Sequence, residues 1–133
     1  MLQIGMTASR TKTITDADVR AFAQASGDTN GIHLDDDIAA ASVFGRRVAH
    51  GMLTASVISA ILGNDLPGVG TIYLGQTLNF KAPVFIDDTI TATVEVTKYR
   101  DDKRIATLTT TVHNQDGVLI LEGEAVVIAP ATT

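Results

Sequence analysis

The stretch GMLTASVISAILG, residues 51–63, contains no charged residue. On a helix, its Met52, Leu53, Val57, Ile58, Ile61 and Leu62 would cover most of the circumference. A surface helix keeps a polar face, so one that is apolar on nearly all sides has to be enclosed. Even extended back to Val48 the run is interrupted by His50, and it is too short to span a bilayer. The rest of the chain must therefore supply a wrapping.

The second half can do so. Segments 71–80, 88–99, 104–114 and 118–128 are rich in Thr, Val and Ile. Ile90, Ala92, Val94 and Val96 alternate with Thr89, Thr91, Thr93, Glu95 and Thr97, which is the period of a half-buried strand. Asp101-Asp102 and Gln115-Asp116-Gly117 are turn signals placed where a meander needs them. With a short strand near 8–14, these segments predict an antiparallel sheet of about five strands against one buried helix, an α+β fold.

The first half reads as helical. Thr15 followed by Asp16 and Asp18 makes an N-cap with early negative charge; Val19, Phe22 and Ala23 follow at helical spacing, and Gly27 ends the helix. Residues 28–34 are then expected to be loop, with a second short helix starting in the aspartate run 35–37 and using 38–41. The aspartates lack the alternating oxygens and distal Glu of an EF-hand loop. They read as a solvated helix start.

One domain spanning 1–133 is expected, since a chain of 133 residues can bury roughly two-thirds of its unfolded surface. Residues 130–133 read as a loose tail. The charge balance is 10 − 15 = −5, and with no basic cluster it disfavours nucleic acid and anionic membranes as partners. An anionic ligand would have to be held by a few local cations; Arg46, Arg47, Lys81 and Arg104 are the candidates. Cysteine is absent, which excludes disulfide and thiolate chemistry. The N-terminal residues lack the apolar core of a signal peptide, so a cytoplasmic location is expected.

The segment SGDTNGIHLD, residues 26–35, packs Asp28, Asn30 and His33 around two glycines. On spacing alone the plain reading outweighs a catalytic one: Asp28 caps a turn and His33 satisfies a backbone carbonyl. The flanking residues shift that weighting. FAQASGDTNGIHLD followed by FGRRVAHGMLTAS resembles the signature of the MaoC-like, (R)-specific enoyl-CoA hydratases, or type 2 hydratases. That family carries a G-D-x-N-P-[LIV]-H element and then an H-G-M element opening the central helix of a hot-dog fold. IYLGQTLNFKAPVFIDDTITATVEV is similar to the short hydratases that feed polyhydroxyalkanoate synthesis. The resemblance runs from about residue 4 to about residue 128.

It implies a hot-dog fold around 51–63, a homodimer with sites at the subunit interface, and syn hydration of a trans-2-enoyl-CoA to the (R)-3-hydroxyacyl-CoA. By motif position Asp28 and His33 are the catalytic pair, Asn30 shapes the loop, and Gly51 offers its N–H to the thioester oxygen. Ser59, Leu62 and Val127 fall near the far end of the acyl pocket. One position departs from the pattern: Gly31 stands where the family has proline, which frees a loop that proline would stiffen.

The chemistry matches these residue types. Adding water across an unsaturated thioester needs a base for the water proton, an acid for C2 and stabilisation of the enolate oxygen. A carboxylate and an imidazole around one water supply the first two. A helix N-terminus, with unpaired N–H groups and a favourable dipole, supplies the third. No metal or cofactor is required. Competing readings are an acyl-carrier-protein dehydratase, a hot-dog thioesterase and a non-catalytic acyl-binding dimer. Thioesterases and acyl-carrier-protein dehydratases of this fold commonly place a carboxylate on the central helix, and 51–63 has none. A carrier-protein substrate is still conceivable with the Asp28/His33 site.

Overall fold

A computed structural model describes residues 1–131; the last two residues of the 130–133 tail lie outside that range. Strand β1 (Thr7–Thr13) leads into helix α1 (Asp16–Ser26), two short helices α2 (Gly31–Leu34) and α3 (Asp36–Ala41), and the long helix α4 (Gly51–Asn64). Strands β2 (Ile72–Gln76), β3 (Asn79–Phe80), β4 (Thr89–Arg100), β5 (Ile105–His113) and β6 (Leu119–Ile128) complete the chain. They form one antiparallel sheet in the order β1-β4-β5-β6-β2, with β3 also on β6. The sheet wraps α4 in the hot-dog arrangement.

Local chemistry accounts for the elements. Thr15 and Asp18 exchange hydrogen bonds across the first turn of α1 as a capping box, and Gly27 closes the helix at φ 80°. In β4, Ile90, Ala92, Val94 and Val96 are fully buried against the core that includes Ile58, Ile61 and Leu62 of α4. The opposite face carries hydroxyl pairs between β1 and β4: Ser9–Thr93 at 2.9 Å, Thr11–Thr91 at 2.9 Å and Thr13–Thr89 at 2.8 Å. The period-two pattern is thus used on both sides.

Three features differ from the sequence reading. The expected strand 71–80 is broken at 77–78, where the chain presses on β6. A Cβ at Gly123 would lie 1.8 Å from the Thr77 carbonyl oxygen, so only glycine admits this approach. The expected loop 28–34 contains a helical turn, α2, because the Asn30 side chain accepts from the Ile32 N–H and caps it. Finally, α4 is not enclosed all round. Gly51, Met52, Ser56, Ser59 and Gly63 form an exposed flank, with Met52 57% exposed. Beside that flank the edge strand β2 shows Tyr73 and Leu74 to solvent. No helix of the described residues is long and apolar enough to cross a membrane.

Candidate active site

Asp28, His33, His50 and Gly51 meet where α1 ends and α4 begins. The left-handed Gly27 turns the chain so that Asp28 lies exposed just past α1. Its amide donates to Ser26 Oγ at 3.1 Å, and its carboxylate accepts from the Asn30 amide at 3.2 Å. The turn-capping role expected of an ordinary loop aspartate is therefore real, and the second carboxylate oxygen has no hydrogen-bond partner among the described residues.

His33 sits on α2 and is 8% exposed. Its Nδ1–H donates to the Val48 carbonyl at 2.7 Å. A carbonyl only accepts, so the proton is assigned to Nδ1 and the neutral ring presents Nε2 as its basic atom. The backbone of His33 is pinned too: Arg47 Nε donates to its carbonyl at 2.7 Å, while Arg47 Nη2 reaches Asp16 at 2.5 Å. The Arg47 bond, followed by one that Arg20 Nε donates at 3.0 Å, holds the Asp16 carboxyl below the usual carboxylate range.

A carboxylate oxygen of Asp28 and one ring nitrogen each of His33 and His50 lie within 4.8 Å of one another. Those are metal-ligand types, but the two rings are stacked, with centroids 3.9 Å apart and planes 27° apart. Lone pairs lying in planes so nearly parallel meet far beyond the ~2 Å reach of a metal–nitrogen bond. The arrangement fits an acid–base pair with a stacked neighbour, not one shared ion.

Gly51 opens α4; the Leu53 N–H bonds back to the His50 carbonyl at 3.1 Å, whereas the Gly51 N–H has no acceptor within the helix. The Phe80 ring stands over it: a Cβ at Gly51 would lie 2.8 Å from the ring edge. His33, Gly51 and Phe80 together form the wall between two cavities. One, of about 430 Å³, is lined by Asp28, His50 and Met52 among others. The second, of about 340 Å³, adds Thr54, Lys81 and Val84. A third cavity of about 480 Å³ continues along the exposed flank of α4 past Ser56 and Ser59 to Tyr73 and Leu74 of β2. Partial burial of its side chain there pushes the Tyr73 phenol above its ordinary pKa.

The structure thus brings together Asp28, Asn30, His33 and Gly51, and puts Ser59 on the adjoining cavity. Leu62 and Val127, 1% and 0% exposed, belong to the core cluster and line none of these cavities. The four candidate cations separate. Arg47 is tied to His33 and Asp16, and Arg46 lies 3.7 Å over the Phe85 ring. Lys81 is on a cavity rim, 3.9 Å from Glu122. Arg104 precedes the end of β5 remote from the Phe80 side of the sheet. The sequence reading did not identify Phe80 or the His33–His50 stack. The only signal for the latter was the position of His50 immediately before Gly51.

Residues 3–117 match the family model described as "MaoC like domain". The chain is 53% identical to an (R)-specific enoyl-CoA hydratase of Aeromonas caviae, over 97% of this chain and 96% of that one. It is 50% identical to an (R)-specific enoyl-CoA hydratase of Rhodospirillum rubrum, over 96% and 88%. Among solved structures, an (R)-hydratase from A. caviae involved in PHA biosynthesis superposes with a TM-score of 0.94, covering 97% of this chain and 98% of that one.

Proposed function

The chain belongs to the MaoC-like domain family, and on that premise we propose that it hydrates trans-2-enoyl-CoA thioesters to (R)-3-hydroxyacyl-CoA, reversibly. The observation that carries the reading is the juxtaposition of the Asp28 carboxylate, the His33 imidazole and the first residue of α4 around one cavity. The identity of about half to (R)-specific hydratases over nearly the whole chain supports it.

In this reading one water sits between the Asp28 carboxylate and His33 Nε2. Its oxygen attacks C3, one of the two groups takes its proton, and a proton is delivered to C2 on the same face. The Gly51 N–H faces the thioester oxygen. As charge builds there, the helix start stabilises the enolate more than the neutral carbonyl, so the bond lowers the barrier. Asn30 holds the turn that presents Asp28. The acyl chain runs along the exposed flank of α4 past Ser59. Leu62 and Val127, which lie in the core and line none of these cavities, are assigned to its far end on the family resemblance alone.

The same reading makes the protein a homodimer. Edge strand β2 and the apolar margin of Met52, Tyr73 and Leu74 are the surfaces a second copy would cover. Crotonyl-CoA provides the test. Loss of the enoyl absorbance without thiol release is the expected result; thiol release would mark a thioesterase, and no reaction would leave only acyl binding.

A further inference from the structure

His50 is the N-cap residue of α4, yet it makes no side-chain cap bond. A capping position ordinarily holds a short polar side chain that bonds forward into the first turn. Here the ring turns sideways instead. It stacks on His33 at 3.9 Å and tilts against Phe22 at 4.8 Å. Its Nε2–H donates to the Asp28 backbone carbonyl at 3.0 Å, across 22 residues of sequence.

The remaining nitrogen, Nδ1, is buried and has no hydrogen-bond partner among the described residues. Such a group is costly, and a residue present only to fill space would carry no bare nitrogen. Phenylalanine would give the same stacking surface without that cost. What phenylalanine lacks is the donor to Asp28. No direct hydrogen bond links the side chains of Asp28 and His33, and Asp28 is exposed, with a main chain otherwise anchored at its amide. His50 is the side chain that touches both halves of the pair.

We infer that His50 is a positioning residue for the hydration: its Nε2–H fixes the Asp28 main chain while its ring fixes the plane of His33, holding carboxylate and imidazole around one water. The inference rests on the hydratase reading above. A shift of the order of 1 Å in an acid–base pair is enough to cost about 10²-fold in rate, so the effect belongs in kcat.

Three variants separate the donor from the ring. His50→Phe keeps the ring and removes the donor. His50→Gln loses the ring but places an amide N–H at the Nε2 position. His50→Asn places its amide at the Nδ1 position, short of the Asp28 carbonyl. With crotonyl-CoA, His50→Phe is expected to lower kcat about 10- to 100-fold with KM within about threefold and the thermal melt near that of the parent. His50→Gln should be at least about fivefold more active than His50→Phe. If His50→Phe does not fold, Gln against Asn makes the same comparison. In an Asp28→Asn background, His50→Phe should have little further effect, since residues acting as a unit are not additive. A hydrating parent whose His50→Phe variant keeps full kcat, or whose donor-bearing and donor-lacking variants are equally impaired, overturns the inference alone. A parent that does not hydrate crotonyl-CoA overturns the functional reading and this inference with it.

Discussion

Ile58 and His50 lie about two turns apart along α4 and its cap, and both are almost wholly buried, at 0% and 2% exposure. Their surroundings differ in kind. Ile58 is enclosed by aliphatic side chains of the sheet, including the Ile90–Val96 face of β4. Burial of that sort is strong and nondirectional, and it scales with area removed from water. His50 is enclosed by a carbonyl, a second imidazole and a phenyl ring, each at a set distance and angle. Directed contacts of this kind add little net stability but fix positions. The middle of the helix therefore holds the fold together, and its start is where the groups proposed to react are held.

That contrast predicts two opposite phenotypes. Asp28→Asn and His33→Gln should each lower hydration of crotonyl-CoA by at least about 10²-fold, the usual scale for a positioned acid or base, with melting temperatures near the parent's. Ile58→Ala should do the reverse: a loss of about 2–5 kcal/mol in stability with kcat per folded molecule nearly unchanged. Parallel melts and steady-state rates decide the matter. A fully active Asp28 or His33 variant removes that residue from the chemistry.

Leu62 tests where the two regimes meet. It is 1% exposed within the core, yet the family resemblance puts it near the far end of the acyl pocket. Leu62→Ala should cost about 2–5 kcal/mol as any core truncation would. If it also lines the channel, the ratio of kcat/KM for C8 to C4 esters rises. If the ratio is unchanged while both rates follow the folded fraction, Leu62 is core alone.

The same division explains what was legible in the sequence. Where structure follows from period or local chemistry, it could be read: the Thr15–Asp18 box, the Gly27 stop, and the alternation in β4. Asp28, Asn30, His33 and Gly51 are legible as a motif and lie close together in the fold, while their roles rest on the proposed function. What escaped was fixed by partners distant in sequence. A four-residue helix such as α2 has no period to detect. The break at 77–78 depends on Gly123, about 45 residues on. Arg47, beside Arg46, reads as a candidate for an anionic ligand because an arginine in a sequence carries no sign of an internal partner. Asp16 and the His33 carbonyl absorb it. The exposed flank of α4 was hidden because Met52 counts as apolar wherever it points.

Arg47 gives the next, smaller effect. Its bonds to Asp16 and to the His33 carbonyl couple a stabilising pair to the directed corner. The Asp16 carboxyl is depressed below its reference value of 3.8, chiefly by the bond from Arg47. A depressed carboxyl contributes stability that is fully present above the unfolded value and is lost as pH falls through the folded one. Asp16→Asn should therefore lower the melting temperature by a few degrees near pH 6, and the difference should shrink as the pH drops below 3.8. A difference that persists at low pH would assign the effect to packing instead of charge.

The smallest effect concerns Gly31, where the family pattern has proline. The backbone already suits proline: Gly31 is the first residue of α2, a favoured place for it, and Asn30 before it has ψ 131°, which a residue preceding proline requires. The obstacle is the neighbouring helix. A Cβ at Gly31 would lie 2.5 Å from Ile38 Cδ1 and 3.3 Å from Ile38 Cβ, so the ring cannot enter unless Ile38 gives way. In the parent, Gly31→Pro should gain nothing, because the entropy it removes from the unfolded chain is offset by that contact. Ile38 is 52% exposed, so Ile38→Ala alone should cost little. In its presence Gly31→Pro should stabilise by about 0.4–1 kcal/mol, the usual return for a compatible proline. The four denaturation curves of the double-mutant cycle measure the coupling directly. An additive cycle would clear Ile38 of any part in excluding proline, and would leave the freedom of residues 28–34 to Gly31 itself.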